Sequence, residues 1–284
     1  MPHLTTPDGV RLYYEDAGSG LPIVFVHEFA GDHRSWAPQV HHFSRRYRCI
    51  VYSARGYPPS DVPESVEMYS QKHARDDILA VMDALGLEKA HVVGLSMGAF
   101  ATVHFAMNYP DRLLGAVAAG VGYGAHPDDY PAFQAHARDN AAIMREKGMT
   151  HFAATYGHSA SRLQFRDKDP AGFALFIEQF AAHSPAGSAN TMEGYQARRP
   201  SLYVLQDRLA TIESPMLIVA GDEDDATLQP SLMLKQTIRS AGLAVLPCTG
   251  HVINLEEPAL FNRVVEDFLH QVERGRWPVR PWKT

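Results

Sequence analysis

Apolar residues recur along this chain in two rhythms, short continuous runs and longer stretches at helical spacing, and their alternation predicts the architecture. Val10 to Asp16 alternates as an edge strand does, and Gly18-Ser19-Gly20 turns it into the buried run Ile23 to Val26. Arg48 to Tyr52 reads as the next strand, and Gln71 to Leu85 as a helix with Ile78, Val81, Met82 and Leu85 on one face. Val92 to Leu95 is a short strand, Met97 to Met107 a helix, and Leu113 to Ala119 a further buried strand. There the alternation stops. From about Tyr123 to Thr211 the chain is rich in Ala, His, Phe and Tyr at helical spacing, with turns at Pro127, Pro170 and Pro185, and after Ser214-Pro215 the alternation resumes. Strands alternating with helices predict a mostly parallel sheet covered on both faces, whose sites lie at the carboxyl ends of the strands. The expected division is a first core segment over 1–122, an inserted helical lid over 123–211 and a second core segment over 212–284.

One junction of strand and helix carries chemistry. His91-Val92-Val93-Gly94-Leu95-Ser96-Met97-Gly98-Ala99 is a G-x-S-x-G placed where a strand turns straight into a helix. Such a corner holds one serine on a strained turn, and its glycines are needed because a Cβ at either would collide with the neighbouring strand or helix. The corner lifts the Ser96 hydroxyl clear of the sheet, and the helix N-terminus offers unpaired N–H groups to a developing negative charge. Serine is a weak nucleophile at neutral pH, so it requires a base and a group that orients the base. His251, near the C-terminus and followed by a helical pattern through Phe261, Val264, Val265, Phe268 and Leu269, is the candidate base. Candidate acids are Asp222, Asp224 and Asp225, on the loop after the apolar strand Met216 to Ala220; the remainder of that acidic run reads as a solvated loop.

The order serine, acid, histidine, each at the end of an apolar strand, is the α/β-hydrolase order, and the chain resembles that superfamily along nearly its whole length. Pro22-Ile23-Val24-Phe25-Val26-His27 resembles the strand leading into the family's His-Gly oxyanion loop, and Tyr52-Ser53-Ala54-Arg55-Gly56-Tyr57-Pro58-Pro59-Ser60 its Asp-x-Arg-Gly-x-Gly-x-Ser turn. Asn108-Tyr109-Pro110-Asp111-Arg112-Leu113 is similar to the end of the helix behind the elbow, and Gly250-His251 with Glu257-Pro258 and Phe261 to the histidine loop and final helix. The resemblance implies an α/β-hydrolase fold, a mostly parallel central sheet flanked by helices with an inserted helical lid. It implies Ser96 as nucleophile and His251 as base. The family's acid commonly falls three residues after the glycine ending its strand, which implies Asp224. It further implies an oxyanion hole made by the backbone N–H groups of Met97 and Phe29. The chain departs from the pattern at Glu28, where the family has glycine. Glu28 is expected to turn away and pair with Arg34, Arg55 or a histidine; the sharper alternative is contact with a cationic substrate group or a role as an extra acid or base.

Haloalkane dehalogenases and epoxide hydrolases place aspartate at the elbow, so Ser96 disfavours both. The expected activity is that of a serine hydrolase cleaving a small ester, lactone or related carbonyl substrate through an acyl-enzyme. Hydrolysis of a carbon–carbon bond in ring-cleavage products is the alternative, and would require basic or polar lid residues over the serine. A ligand-sensing protein with little turnover is a third reading.

Composition narrows the classes further. A chain of 284 residues, 45% of them hydrophobic, is long enough to bury one large core or a core plus a lid. A net charge of −6 with no Lys/Arg stripe gives no expectation of nucleic acid. The two cysteines, Cys49 and Cys248, lie in strand-like segments and suit a reducing cytoplasm rather than a disulfide framework. The N-terminus carries no signal-peptide pattern, and no apolar run approaches the roughly 20 residues of a membrane span. Fifteen histidines without cysteine or carboxylate partners at ligand spacing predict no metal site, and the chemistry requires no cofactor. Lid aromatics, Tyr123 among them as a candidate substrate contact, are expected to line a pocket over Ser96 and favour a small molecule with an apolar or aromatic part. The basic tail from Arg274 to Lys283, with Trp277 and Trp282, is expected to pack on the core or on the second subunit of a homodimer.

Overall fold

Eight strands form one sheet in the order β1-β2-β4-β3-β5-β6-β7-β8 in a computed structural model that describes residues 2–281. They are β1 (His3–Thr5), β2 (Arg11–Gly18), β3 (Leu21–Val26), β4 (Tyr47–Tyr52), β5 (Ala90–Leu95), β6 (Leu113–Ala119), β7 (Met216–Gly221) and β8 (Ala241–Leu246). β2 runs antiparallel to β1 and β4, and every pair from β4 to β8 is parallel. The central strands read as unbroken apolar runs because both of their faces are covered. Successive side chains point to opposite layers: Ile23, Phe25, Val51, Val93 and Val219 join one core, and Val24, Val26, Ile50, Val92 and Ile218 the other.

The first core is closed by α1 (Ala37–Phe43) and α11 (Pro258–Glu273), through Phe43, Phe261, Val265 and Phe268. The second is closed by α2 (Gln71–Ala84), α3 (Met97–Asn108) and α9 (Asp225–Thr237), through Ile78, Val81, Phe100, Val103 and Leu234. Each such fully buried side chain contributes roughly 1.5–3 kcal/mol relative to exposure. Between β6 and β7 the chain makes α4 (Tyr130–Tyr156, interrupted at Gly148), α5 (Leu163–Lys168), α6 (Pro170–Ala181), α7 (Pro185–Asn190) with a π-helical turn Thr191–Gln196, and α8 (Gln206–Leu209). Pro170 and Pro185 stand at the first helical position, where a missing N–H costs nothing. Phe152, Phe165, Phe173, Phe176 and Phe180 from these helices join the same apolar cluster as Phe25 and Phe29. The short α10 (Ile253–Glu256) precedes α11.

Two expectations are corrected by the structure. The strand from Val10 is not the edge, because β1 pairs outside it with Leu4 opposite Leu12; three residues are too few to show a period. Cys248 is not in a strand. It is exposed in the turn after β8, with φ 52°, because Pro247 has no N–H to continue the ladder. Of the two placements expected for the tail, Trp277 takes the one on the core: its ring meets Phe268 edge-on at 4.7 Å, and its Nε1–H donates to the Ser240 carbonyl at 2.6 Å. Trp282 lies outside the described residues.

Candidate active site

Ser96 occupies the corner between β5 and α3 with φ 52° and ψ −112°, a conformation a non-glycine residue adopts only when its surroundings hold it there. The hold is visible. A Cβ on Gly94 would lie 2.3 Å from the Gly98 carbonyl oxygen, and one on Gly98 would lie 2.1 Å from that of Val26. The strand, the elbow and the loop after β3 therefore touch through backbone alone. Ser96 N–H donates to the Ala119 carbonyl at 2.8 Å, which ties the corner to β6.

Two loops from distant parts of the chain converge on that hydroxyl. His251 Nε2 lies 2.8 Å from Ser96 Oγ, and its Nδ1 lies 2.6 Å from Asp224 Oδ2. Asp224 is 3% exposed and also accepts from Thr227 Oγ1 at 3.0 Å. Asp222 and Asp225 are exposed; Asp222 Oδ1 accepts from the Thr249 N–H, and Asp225 opens α9. Burial disfavours the imidazolium of His251, but the charge and hydrogen bond of Asp224 outweigh it and hold its pKa above the ordinary value. Burial likewise opposes the Asp224 carboxylate, and His251 reverses the balance, so its pKa lies below the usual range.

The loop after β3 is braced by His27. Its Nε2 accepts from Ala54 N–H at 3.0 Å, so Nδ1 carries the proton and donates to the Glu28 carbonyl at 2.6 Å. Burial pushes the His27 pKa down to about 4, which keeps the ring neutral. Tyr57 OH donates to the Phe29 carbonyl at 3.0 Å. Neither Phe29 N–H nor Met97 N–H donates to an acceptor among the described residues.

Glu28 requires a correction. Arg34 is taken by Asp32 at 2.5 Å, and Arg55 by Asp77 at 2.6 Å and Asp8 at 2.8 Å. The partner of Glu28 is Arg162, at 2.8 Å, from the segment between α4 and α5. The two are 134 residues apart, and no local pattern announces the contact.

A cleft of ≈ 510 Å³ opens beside the histidine, lined by Tyr123, Asn140, Tyr156, Arg162, Asp224 and His251. A smaller pocket of ≈ 20 Å³, sharing Tyr123, Asn140, Tyr156 and His251, reaches Ser96 between Phe29, Gln196 and Arg199. Tyr123, half exposed at 43%, lines both. Arg199 was not singled out by its sequence context. It is 4% exposed, stacked 3.6 Å from the Phe100 ring centroid, and bonded to Gln196 and to the Tyr123 carbonyl at 2.6 Å. Among the described residues it has no carboxylate partner, and burial brings its pKa down to about 10. No group of three or more His, Cys, Asp or Glu among the described residues is disposed to hold a metal ion, and no described helix is long and apolar enough to cross a membrane.

A mostly parallel sheet with a serine elbow at the carboxyl end of its fifth strand is the architecture of an α/β-hydrolase. The alpha/beta hydrolase fold model matches residues 22–258, and the chain belongs to that family. It is 27% identical to 3-oxoadipate enol-lactonase 1 of Acinetobacter baylyi, over 88% of this chain and 89% of that protein. It is also 27% identical to a 2-hydroxy-6-oxo-6-phenylhexa-2,4-dienoate hydrolase of Comamonas testosteroni, over 92% of this chain and 91% of that one. Among solved structures, a thermophilic esterase from Thermogutta terrifontis superposes with a TM-score of 0.85 at 27% identity, covering 95% of this chain and 98% of its own.

Proposed function

We propose that this chain is a serine hydrolase that cleaves a small ester, lactone or related carbonyl substrate through an acyl-enzyme on Ser96. The observation that carries the reading is the continuous hydrogen-bonded line from Ser96 Oγ through both nitrogens of His251 to Asp224 Oδ2. His251 takes the serine proton as Oγ attacks the carbonyl carbon, and Asp224 fixes the tautomer and stabilises the imidazolium. The N–H groups of Met97 and Phe29 receive the oxyanion, a contribution of roughly 2.7–4 kcal/mol per donor. His251 returns the proton to the leaving group, then activates the water that opens the acyl-enzyme. Residues 123–211 act as a lid that supplies Tyr123, Tyr156 and Arg199 to the substrate pocket. The enol-lactonase and esterase relatives support this substrate class.

The test is hydrolysis of p-nitrophenyl esters and γ-lactones of graded acyl length. Turnover with a pre-steady-state burst, lost in Ser96→Ala, is the expected result; turnover that survives in Ser96→Ala overturns the reading.

Arg199 favours a second reading. A guanidinium without a carboxylate partner beside Ser96 suits a substrate bearing an anionic group, such as the dienoate named for the Comamonas testosteroni relative. Carbon–carbon bond hydrolysis would then be the reaction. Loss of the visible absorbance of a ring-cleavage dienoate, measured beside ester hydrolysis, separates the two.

A further inference from the structure

The catalytic sequence above makes no use of the most deeply buried ion pair at the site. Glu28 is 1% exposed and immediately precedes Phe29; Arg162 is 3% exposed and lies between α4 and α5. Both ends of the pair are tied to reacting parts. The Glu28 carbonyl accepts from His27 Nδ1 at 2.6 Å and from Gly31 N–H at 3.2 Å, so its carboxylate and the Phe29 N–H belong to one tight loop. On the other side, the carbonyl of Ser161, the residue before Arg162, accepts the N–H of His251 at 2.7 Å. The guanidinium itself lies over the Tyr156 ring at 5.1 Å, and its Nη1 donates to Ser159 Oγ at 3.0 Å.

The pair is poorly built as a stabiliser. Glu28 Oε1 and Arg162 Nε are buried without hydrogen-bond partners among the described residues, so the cost of desolvating two charges is only partly offset. Without Arg162, however, Glu28 would place an uncompensated negative charge beside the site where a second one must develop. An apolar pair would pack as well but would join the two loops by no directional contact.

We propose that Arg162 is a positioning residue that, docked from the inserted helical segment, neutralises Glu28 and holds the oxyanion loop and the His251 loop in register, so that the site is complete only when that segment is seated. The proposal rests on the serine-hydrolase reading. It predicts effects of opposite sign for the two partners. The charged groups around the His251 imidazole are Asp224, Arg162 and Glu28, with Glu223, Asp225 and His136 lining the same cleft. Arg162 opposes the imidazolium and Glu28 favours it.

The experiment is a kinetic cycle with p-nitrophenyl butyrate on wild type, Glu28→Gln, Arg162→Met, the double variant and Arg162→Lys, each checked by thermal melting. Arg162→Met should lower kcat about 100-fold with KM changed far less, because a bare carboxylate then faces the oxyanion. The double variant should recover at least about tenfold of that loss, since the offending charge is gone. The acidic limb of kcat/KM should move up by about one pH unit in Arg162→Met and down in Glu28→Gln. Equal loss in Arg162→Met and the double variant, with neither limb displaced, overturns the proposal. Should Arg162→Met not fold, the other variants decide: Arg162→Lys must retain activity within about tenfold, and Glu28→Gln must still shift the limb downward. A wild-type protein that neither hydrolyses the ester nor reacts with a fluorophosphonate sinks the hydrolase reading itself, whereas an active wild type without recovery sinks only the role of the pair.

Discussion

Asp224→Asn removes one charge from the line that runs to Ser96 and leaves the side-chain volume almost unchanged. In the native protein Asp224 Oδ2 stands 2.6 Å from His251 Nδ1, and both groups are buried. Spread over carboxylate and ring, the charges are about 4 Å apart; at an effective dielectric of about 20 their attraction is about 4 kcal/mol. That interaction strengthens as the imidazolium forms, so its loss should lower kcat by about three orders of magnitude. The sign of the pH effect follows. Asp224 is the group that raises the His251 pKa, so the acidic limb of kcat/KM, where His251 gains its proton, should move to lower pH in the variant. Asp222→Asn and Asp225→Asn are the controls, because both carboxylates are exposed and neither bonds the ring. The assay is ester hydrolysis from pH 5 to 9 on all three variants. An Asp224→Asn protein with kcat within about threefold of wild type and an unmoved limb would rule out Asp224 as the orienting acid, and a collapse in Asp222→Asn or Asp225→Asn instead would move the acid there.

Two further predictions probe the scaffold. Gly98→Ala puts a methyl 2.1 Å from the Val26 carbonyl oxygen and 2.8 Å from that of His27, both backbone, so α3 must separate from the loop after β3. Thermal melting should show a loss of roughly 1–3 kcal/mol, and esterase turnover should fall with it; an unchanged melting temperature would contradict the close approach. Arg55→Met strands Asp77, which is 2% exposed and held at 2.6 Å, and urea unfolding should show a loss of about 3–5 kcal/mol at pH 7. Burial already pushes the Asp77 carboxyl above its ordinary range, so without Arg55 it takes up a proton. A carboxyl whose folded pKa is raised adds stability at low pH and loses it as pH rises, so the deficit should be smaller near pH 4 than at pH 7.

Local pattern exposes those features whose cause is local. The run Leu113 to Ala119 is a strand with the bounds its apolar sequence implies, and Ser96 is conspicuous because its glycines serve one tight corner. Asp224 stands out less, since three aspartates share its loop and only the burial of one distinguishes it. What stayed hidden depends on distance along the chain. Arg162 reaches Glu28 across 134 residues, and Arg199 reaches the roof of the serine pocket by stacking on Phe100. His183, in a stretch where histidines recur without a distinguishing pattern, lies 3.4 Å from Asp32 in the segment after β3. The edge strand β1 has three residues with one buried leucine, too few to carry a period in the sequence.

Whether Ser96 is an activated nucleophile is read by intact-mass analysis after treatment with a fluorophosphonate. The wild-type protein should take one adduct per chain and Ser96→Ala none, with the variant melting as the wild type does. A wild-type chain that takes no adduct, or a Ser96→Ala chain that takes the same one, would contradict an activated serine at this position.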